Sequence, residues 1–292
     1  MAEVVQHVVD ALSLGGIYAA LTLGLGLLFS VMRLVNFAYG ELIMAGAFAM
    51  YLLQDTPLLV LVAGTLAVTI GVALVTERVA FRPLRGVDPM TLLLASFAVS
   101  VMLQNGARMV FGPIAKGVAP YPFLEQDLII GSVRISVLDL TGVVLTAALI
   151  GAVAVMLQKT VLGMQIRAAA EDAEMADLLG VKANRVIAAA FAIAGVLAAV
   201  ATLILIFQQG AVSVTVGFLP VLIAFVAVVV GGLGSLPGAA LGGLLIGATT
   251  GLLDAALPTD LAPFRDAFLF SIMMALLVIR PQGLVPQKEA RV

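Results

Sequence analysis

Apolar residues in this chain run on in long unbroken stretches, and the polar positions collect between them. Uncharged runs near the twenty or so residues that a spanning helix needs occupy positions 11–32, 56–76, 90–107 and 140–158. A further stretch, 186–253, holds 68 residues without one ionisable side chain, room for three crossings at about twenty residues each. Its breaks are legible in QQGAVSVTVGFLP (208–220) and GGLGSLPG (231–238), where glycine, proline and polar residues punctuate the run. Two shorter apolar segments, 42–54 and 267–279, complete nine candidate crossings. The pattern predicts an all-α polytopic membrane protein of about 8–9 transmembrane or re-entrant helices, the short ones tilted, broken or re-entrant.

Composition agrees. Hydrophobic residues make up 62% of the 292 positions and mean hydropathy is +1.19, against near half apolar for a soluble domain. One transmembrane domain, 1–292, is expected. The first residues lack a basic segment and carry Glu3 and Asp10, so the first run is expected to stay as a membrane helix rather than a cleaved signal. Orientation follows from Lys and Arg, which favour cytoplasmic loops. Alternating nine crossings puts Arg33, Arg78, Arg82, Arg85, Lys159, Arg167, Lys182, Arg185, Arg280, Lys288 and Arg291 on one side, and Arg108, Lys116, Arg134 and Arg265 on the other. The N-terminus is therefore expected outside and the C-terminus in the cytoplasm, with 112–136 as the longest external loop and 159–185 as the largest cytoplasmic one.

That cytoplasmic loop contains RAAAEDAEMADLLGVKANR, with seven charged residues in nineteen positions (167–185) of a chain that is only 11% charged. At about 100° per residue, Ala168, Met175, Leu178 and Leu179 fall on one side of a short helix and Glu174 and Asp177 on the other, with Gly180 as a left-handed stop. Helices that lie on lipid are basic on their polar face. Four acids between Glu171 and Asp177 favour a protein partner instead.

The loop resembles the EAA loop of bacterial ABC importer permeases, which docks on a separate ATP-hydrolysing subunit. VNFAYGELIMAGAFAMYL (35–52), RAAAEDAEMADLLGVKANRVIAAAFAIAG (167–195), VVVGGLGSLPGAALGGLLIG (228–247) and RPQGL (280–284) resemble the branched-chain amino acid permease family, above all its shorter, LivH-type subunit. Two positions depart from that pattern: Tyr39 stands where many members have histidine, and Leu219 where lysine is common. The resemblance implies a bacterial inner-membrane, multi-pass subunit working with a second homologous permease, two ATP-binding subunits and an extracytoplasmic substrate-binding protein. It implies branched-chain or other small neutral amino acids as substrate; relatives of the same family carry urea, amides or aromatic acids. It also marks 159–185 as the coupling loop, with Arg167, Glu171, Asp172, Met175, Leu178, Leu179 and Gly180 as its contact residues and Glu171 and Asp172 as the docking carboxylates.

Other residues invite two readings each. Asn36, Tyr39 and Glu41 sit between the first two spans, either facing a permeation path or forming a turn whose Glu41 is steadied by the positive end of the second helix. Gln104 and Asn105 interrupt an apolar span, where helix–helix hydrogen bonding outweighs substrate contact as an expectation. Gln208 and Gln209 are expected to meet water at a helix end. Small residues repeat every four positions at Gly234, Gly238 and Gly242, at Gly243, Gly247 and Gly251, and at Gly16, Ala20 and Gly24; such ridges are packing seams in lipid. Gly232, Gly234 and Pro237 also suit a hinge.

Covalent chemistry finds no support. The sequence has no cysteine, a single histidine (His7), no G-x-S-x-G and no G-x-x-x-x-G-K-[ST]. No metal, cofactor or nucleic-acid partner is expected, and any ATP drive must come from another subunit. The competing class is an ATP-independent secondary transporter or channel, which usually places ionisable groups in its spans; a third is a non-transporting assembly factor.

Overall fold

Two helices form the centre of this fold because their apolar residues face neighbours on every side. In the computed structural model, which describes residues 2–33, 36–84, 86–124, 126–130 and 133–285, these are α1 (Ala2–Met32) and α8 (Ala183–Gln209). Within their spanning windows 89% and 83% of residues are buried, against 11% in the peripheral α4 (Pro89–Phe111). Between them in sequence lie α2 (Tyr39–Leu53), α3 (Leu58–Thr76), α5 (Val137–Lys159), α6 (Val161–Glu171) and α7 (Ala173–Leu178); after α8 come α9 (Phe218–Gly231), α10 (Leu236–Ala256) and α11 (Arg265–Ile279). Seven helices among the described residues are long and apolar enough to cross a membrane. The apolar α2 and α9 are shorter, at 15 and 14 residues. At 1.5 Å per residue they reach about 21 Å, less than the roughly 30 Å of a hydrocarbon core.

Small residues decide how closely α1 is approached. α10 lies along it, and a Cβ on Gly243, Gly247 or Gly251 would run into Ala19, Gly15 or Ala11 of α1. The opposite edge of α10 meets α9, where Gly238 and Gly242 face the carbonyl oxygens of Gly231 and Ala227. Two of the expected ridges thus form real seams. Gly234 does not belong to one, because α10 begins at Leu236, capped by Ser235 Oγ, which accepts from the Gly238 amide at 3.1 Å. The third ridge splits between partners: Gly16 touches Thr146 of α5, and Gly24 the ring of Tyr39 in α2.

Loops that the alternation assigns to one side do meet one another. Segment 112–136 is not plain loop: β1 (Lys116–Gly117) pairs with β4 (Ala211–Val212) after α8, and β2 (Asp127–Ile130) pairs with β3 (Val133–Ser136) as a hairpin. The Tyr121 hydroxyl donates to the carbonyl of Thr56, between α2 and α3. Gln208, exposed at the end of α8 as expected, also donates to Asp139 Oδ1 at 2.7 Å and to Ser13 Oγ at 3.1 Å, fastening the ends of α8, α5 and α1. At the other end, the amides of Leu284 and Val285 donate to Val230 and Gly231 at 2.8 and 3.0 Å, so RPQGL clasps the end of α9. Arg85, Lys288 and Arg291, counted in the charge asymmetry, lie outside the described residues, as do the side chains of His7, Arg134 and Glu174.

Candidate translocation site and coupling surface

The short helices α2 and α9 bring their amino ends together beside the middle of the longer helices. Gly40 and Gly217 touch backbone to backbone, and a Cβ on Gly40 would lie 2.8 Å from the Gly217 carbonyl oxygen. Because neither residue carries a side chain, the two helix ends meet without a spacer. A cavity of 260 Å³ opens there, walled by Phe37, Phe97, Val101, Phe218 and Val221, with polar atoms from Glu41, Ser100, Gln104 and Thr215.

Glu41, in the first turn of α2, is only 3% exposed. Its Oε1 accepts from Ser100 Oγ at 2.7 Å and from Gln104 Nε2 at 2.8 Å, both on α4. Ser100 and Gln104 are one helical turn apart, so they present both donors on one face. The sequence reading named Glu41 and Gln104 separately; it missed Ser100, whose i−4 spacing from Gln104 was the available signal.

The other candidates do not join them. Asn36 is buried and its Oδ1 accepts from the Ala38 amide at 3.0 Å, an Asx turn that sets the entry to α2. Tyr39 is fully buried, its hydroxyl 3.4 Å from the Ala194 carbonyl of α8. Asn105 is exposed on the outer face of α4 and bonds back to Val101 O at 2.8 Å.

The charged loop is two helices rather than one. The backbone breaks at Asp172 (φ −148°, ψ 104°), which ends α6 and caps α7 by accepting from the Met175 amide at 2.9 Å. Asp is a preferred N-cap residue because its carboxylate satisfies amides the helix leaves free. Ala168 consequently belongs to α6 and does not share a face with Met175, Leu178 and Leu179. Gly180 stops α7 as expected, at φ +87°, with the Val181 amide returning to Ala176 O at 3.0 Å. α6 buries Gly163, Ile166 and Ala169 and turns Arg167 outward.

At the tip, Leu178 and Leu179 are 78% and 79% exposed, and Met175 also faces outward while Ala176 is buried. Three large apolar side chains on one exposed turn, beside exposed Glu171, form a surface suited to a partner. Arg33, at the end of α1, donates from Nη2 to the carbonyls of Ala170 and Glu171, tying the central helix to the loop.

Asp177, Lys182, Arg185 and Arg82 line an open cleft beside the tip. Among the described residues no cluster of His, Cys, Asp or Glu could hold a metal.

Comparison with known proteins follows the same outline. The chain is 33% identical over 300 residues to the high-affinity branched-chain amino acid transport system permease protein BraD of Pseudomonas aeruginosa, covering 97% of this chain and 96% of that one. It is 30% identical, with the same coverage, to LivH of Escherichia coli K12. A probable branched-chain amino acid transport permease protein LivH of Methanocaldococcus jannaschii is 28% identical over 277 residues, covering 90% of this chain and 87% of that one. The family model described as branched-chain amino acid transport system, permease component, matches residues 7–278. With its apolar helices and exposed loop already in view, the chain belongs to that permease family.

Proposed function

We propose that this chain is the membrane subunit through which an ATP-driven importer of the bacterial inner membrane moves branched-chain or other small neutral amino acids. The N-terminus lies outside and the C-terminus in the cytoplasm, an orientation supported by the asymmetry of Lys and Arg. A second permease completes the pathway, two ATP-binding subunits engage the loop 159–185, and a soluble binding protein delivers substrate at the opposite face. The observation that carries this reading is the exposed apolar tip Met175, Leu178 and Leu179 on a helix pair fastened to the central helix through Arg33. Docking there rests on apolar contact, with Glu171 and Arg167 at its rim; Asp172 contributes by capping α7. The long stretch 186–253, which offers no ionisable relay, favours an ATP-driven cycle over an ion-driven one.

Mild-detergent purification from the native membrane tests the reading. ATP-binding subunits co-purify with the wild type and are lost from Leu178→Asp, with a smaller loss from Glu171→Arg. A chain that emerges without companions, and transports after reconstitution without any ATP-binding subunit, would be a secondary transporter instead.

A further inference from the structure

Glu41 is a buried acid held only by neutral groups. Both donors fall on Oε1; among the described residues no donor reaches Oε2 and no cation pairs with the carboxylate. A charge removed from water is costly unless a counter-charge or further hydrogen bonds meet it, and ionisable groups at membrane depth mark substrate paths. The first turn of α9, a 14-residue helix whose N-cap, Gly217, supplies no side-chain cap, borders the same cavity through Phe218 and Val221; the Phe218 amide donates to the Thr215 carbonyl at 3.0 Å and Pro220 carries no amide hydrogen, which leaves the Leu219 amide as the free donor of that turn. Helix amino ends carry partial positive charge and receive anions, and broken helices present such ends to substrate carboxylates inside membranes. The Gly40–Gly217 contact holds the acid and this positive end beside one small space, which Glu41, Thr215 and Phe218 all line.

We propose that the cavity is a zwitterion site: Glu41 Oε2 accepts from the α-ammonium of an amino acid, and the amino end of α9 receives its α-carboxylate. Ser100 and Gln104 are positioning residues that hold Oε1 and so aim Oε2. Phe97, Val101 and Val221 wall the rest with apolar surface suited to an aliphatic side chain. At 260 Å³ the space is at the small end for ligand pockets, right for one free amino acid and too small for a peptide. The site rests on the importer reading and adds to it a rule of admission: substrates carry both charges on one carbon.

Two measurements on the complete complex test it. In proteoliposomes with ATP in the cytoplasmic-side compartment and the binding protein on the other, Glu41→Gln lowers uptake of L-leucine about tenfold or more, since a charge-assisted hydrogen bond is lost. Glu41→Asp is impaired less. Subunit composition and thermal melting in detergent stay at the wild-type level, which separates the effect from misfolding. In detergent without binding protein, the wild type binds L-leucine in preference to its 2-hydroxy-acid analogue, and Glu41→Gln loses about tenfold of that preference. Wild-type complex that imports no amino acid overturns the functional reading and this site with it. Import by the wild type, together with unchanged uptake or equal weakening toward both ligands in Glu41→Gln, overturns the zwitterion site alone.

Discussion

Arg33 has a positive φ of 55°, singular among the described residues other than glycine. That strained geometry turns its guanidinium onto the last carbonyls of α6, where a cation is favoured by the helix dipole. Arg33→Ala is expected to remove about 1 kcal/mol of this fastening, so that ATP hydrolysis by the complex continues while amino acid uptake falls; Arg33→Lys, which keeps the charge, falls less. Parallel assays of phosphate release and uptake read the difference. Gly247 makes a different demand, since its missing Cβ leaves room for Gly15. Gly247→Ala should cost about 1–3 kcal/mol through overpacking, seen as a lower melting temperature in detergent. The packing role of Gly247 was legible in its ridge of small residues, whereas the roles of Arg33 and Glu41 could not be read locally. Nothing around Arg33 names Ala170, and Glu41 lies 59 and 63 positions from the two donors that hold it. Asp172, in contrast, was legible: an N-cap acid before Ala-Glu-Met is a helix-start signal, masked by the apparent continuity of the alanine-rich run.

Helices were the easier part to read, because a bilayer enforces long apolar runs and the backbone must satisfy itself within them. The stretch 186–253 divides at the expected glycine and proline stretches into three helices, α8, α9 and α10, of which α8 and α10 are long enough to cross and α9 is not. The shortness of α2 was visible as well; that of α9 was not, because 186–253 was divided into three crossings of about twenty residues. Their meeting was not, since it joins segments far apart in sequence through two glycines. The hairpin β2–β3 had a signal, with β-prone DLII and VRIS separated by Gly-Ser, but it lay in a stretch assigned to loop. The turn between α9 and α10 holds Gly232 at φ +113°, against the Val285 carbonyl. A Gly232→Ala, Gly234→Ala double variant should therefore strain both positions and loosen the RPQGL clasp, costing about 1–3 kcal/mol. Its thermal stability measures that cost; uptake that survives undiminished would show that the turn is a fastening and not a hinge.

At the scale of the whole molecule, the loop contacts named above among the described residues fall into two sets: Lys116 with Val212 and Asp139 with Gln208 in one, Arg33 with Ala170 and Leu284 with Val230 in the other. The absence of native cysteine makes any introduced thiol the sole target for labelling. Ser213→Cys should react with a membrane-impermeant maleimide in intact cells, and Met175→Cys only after the membrane is opened; the reverse pattern would invert the proposed topology.

The burial of α1 has a bearing on how the protein is made. Synthesis releases α1 well before the helices that close around it, α8, α9 and α10. The small-residue face that α10 will cover must wait in lipid while about two hundred further residues are inserted. Maturation thus closes around an element made early, and a ribosome that stops short of α10 leaves behind a set of inserted helices with one flank of their centre bare.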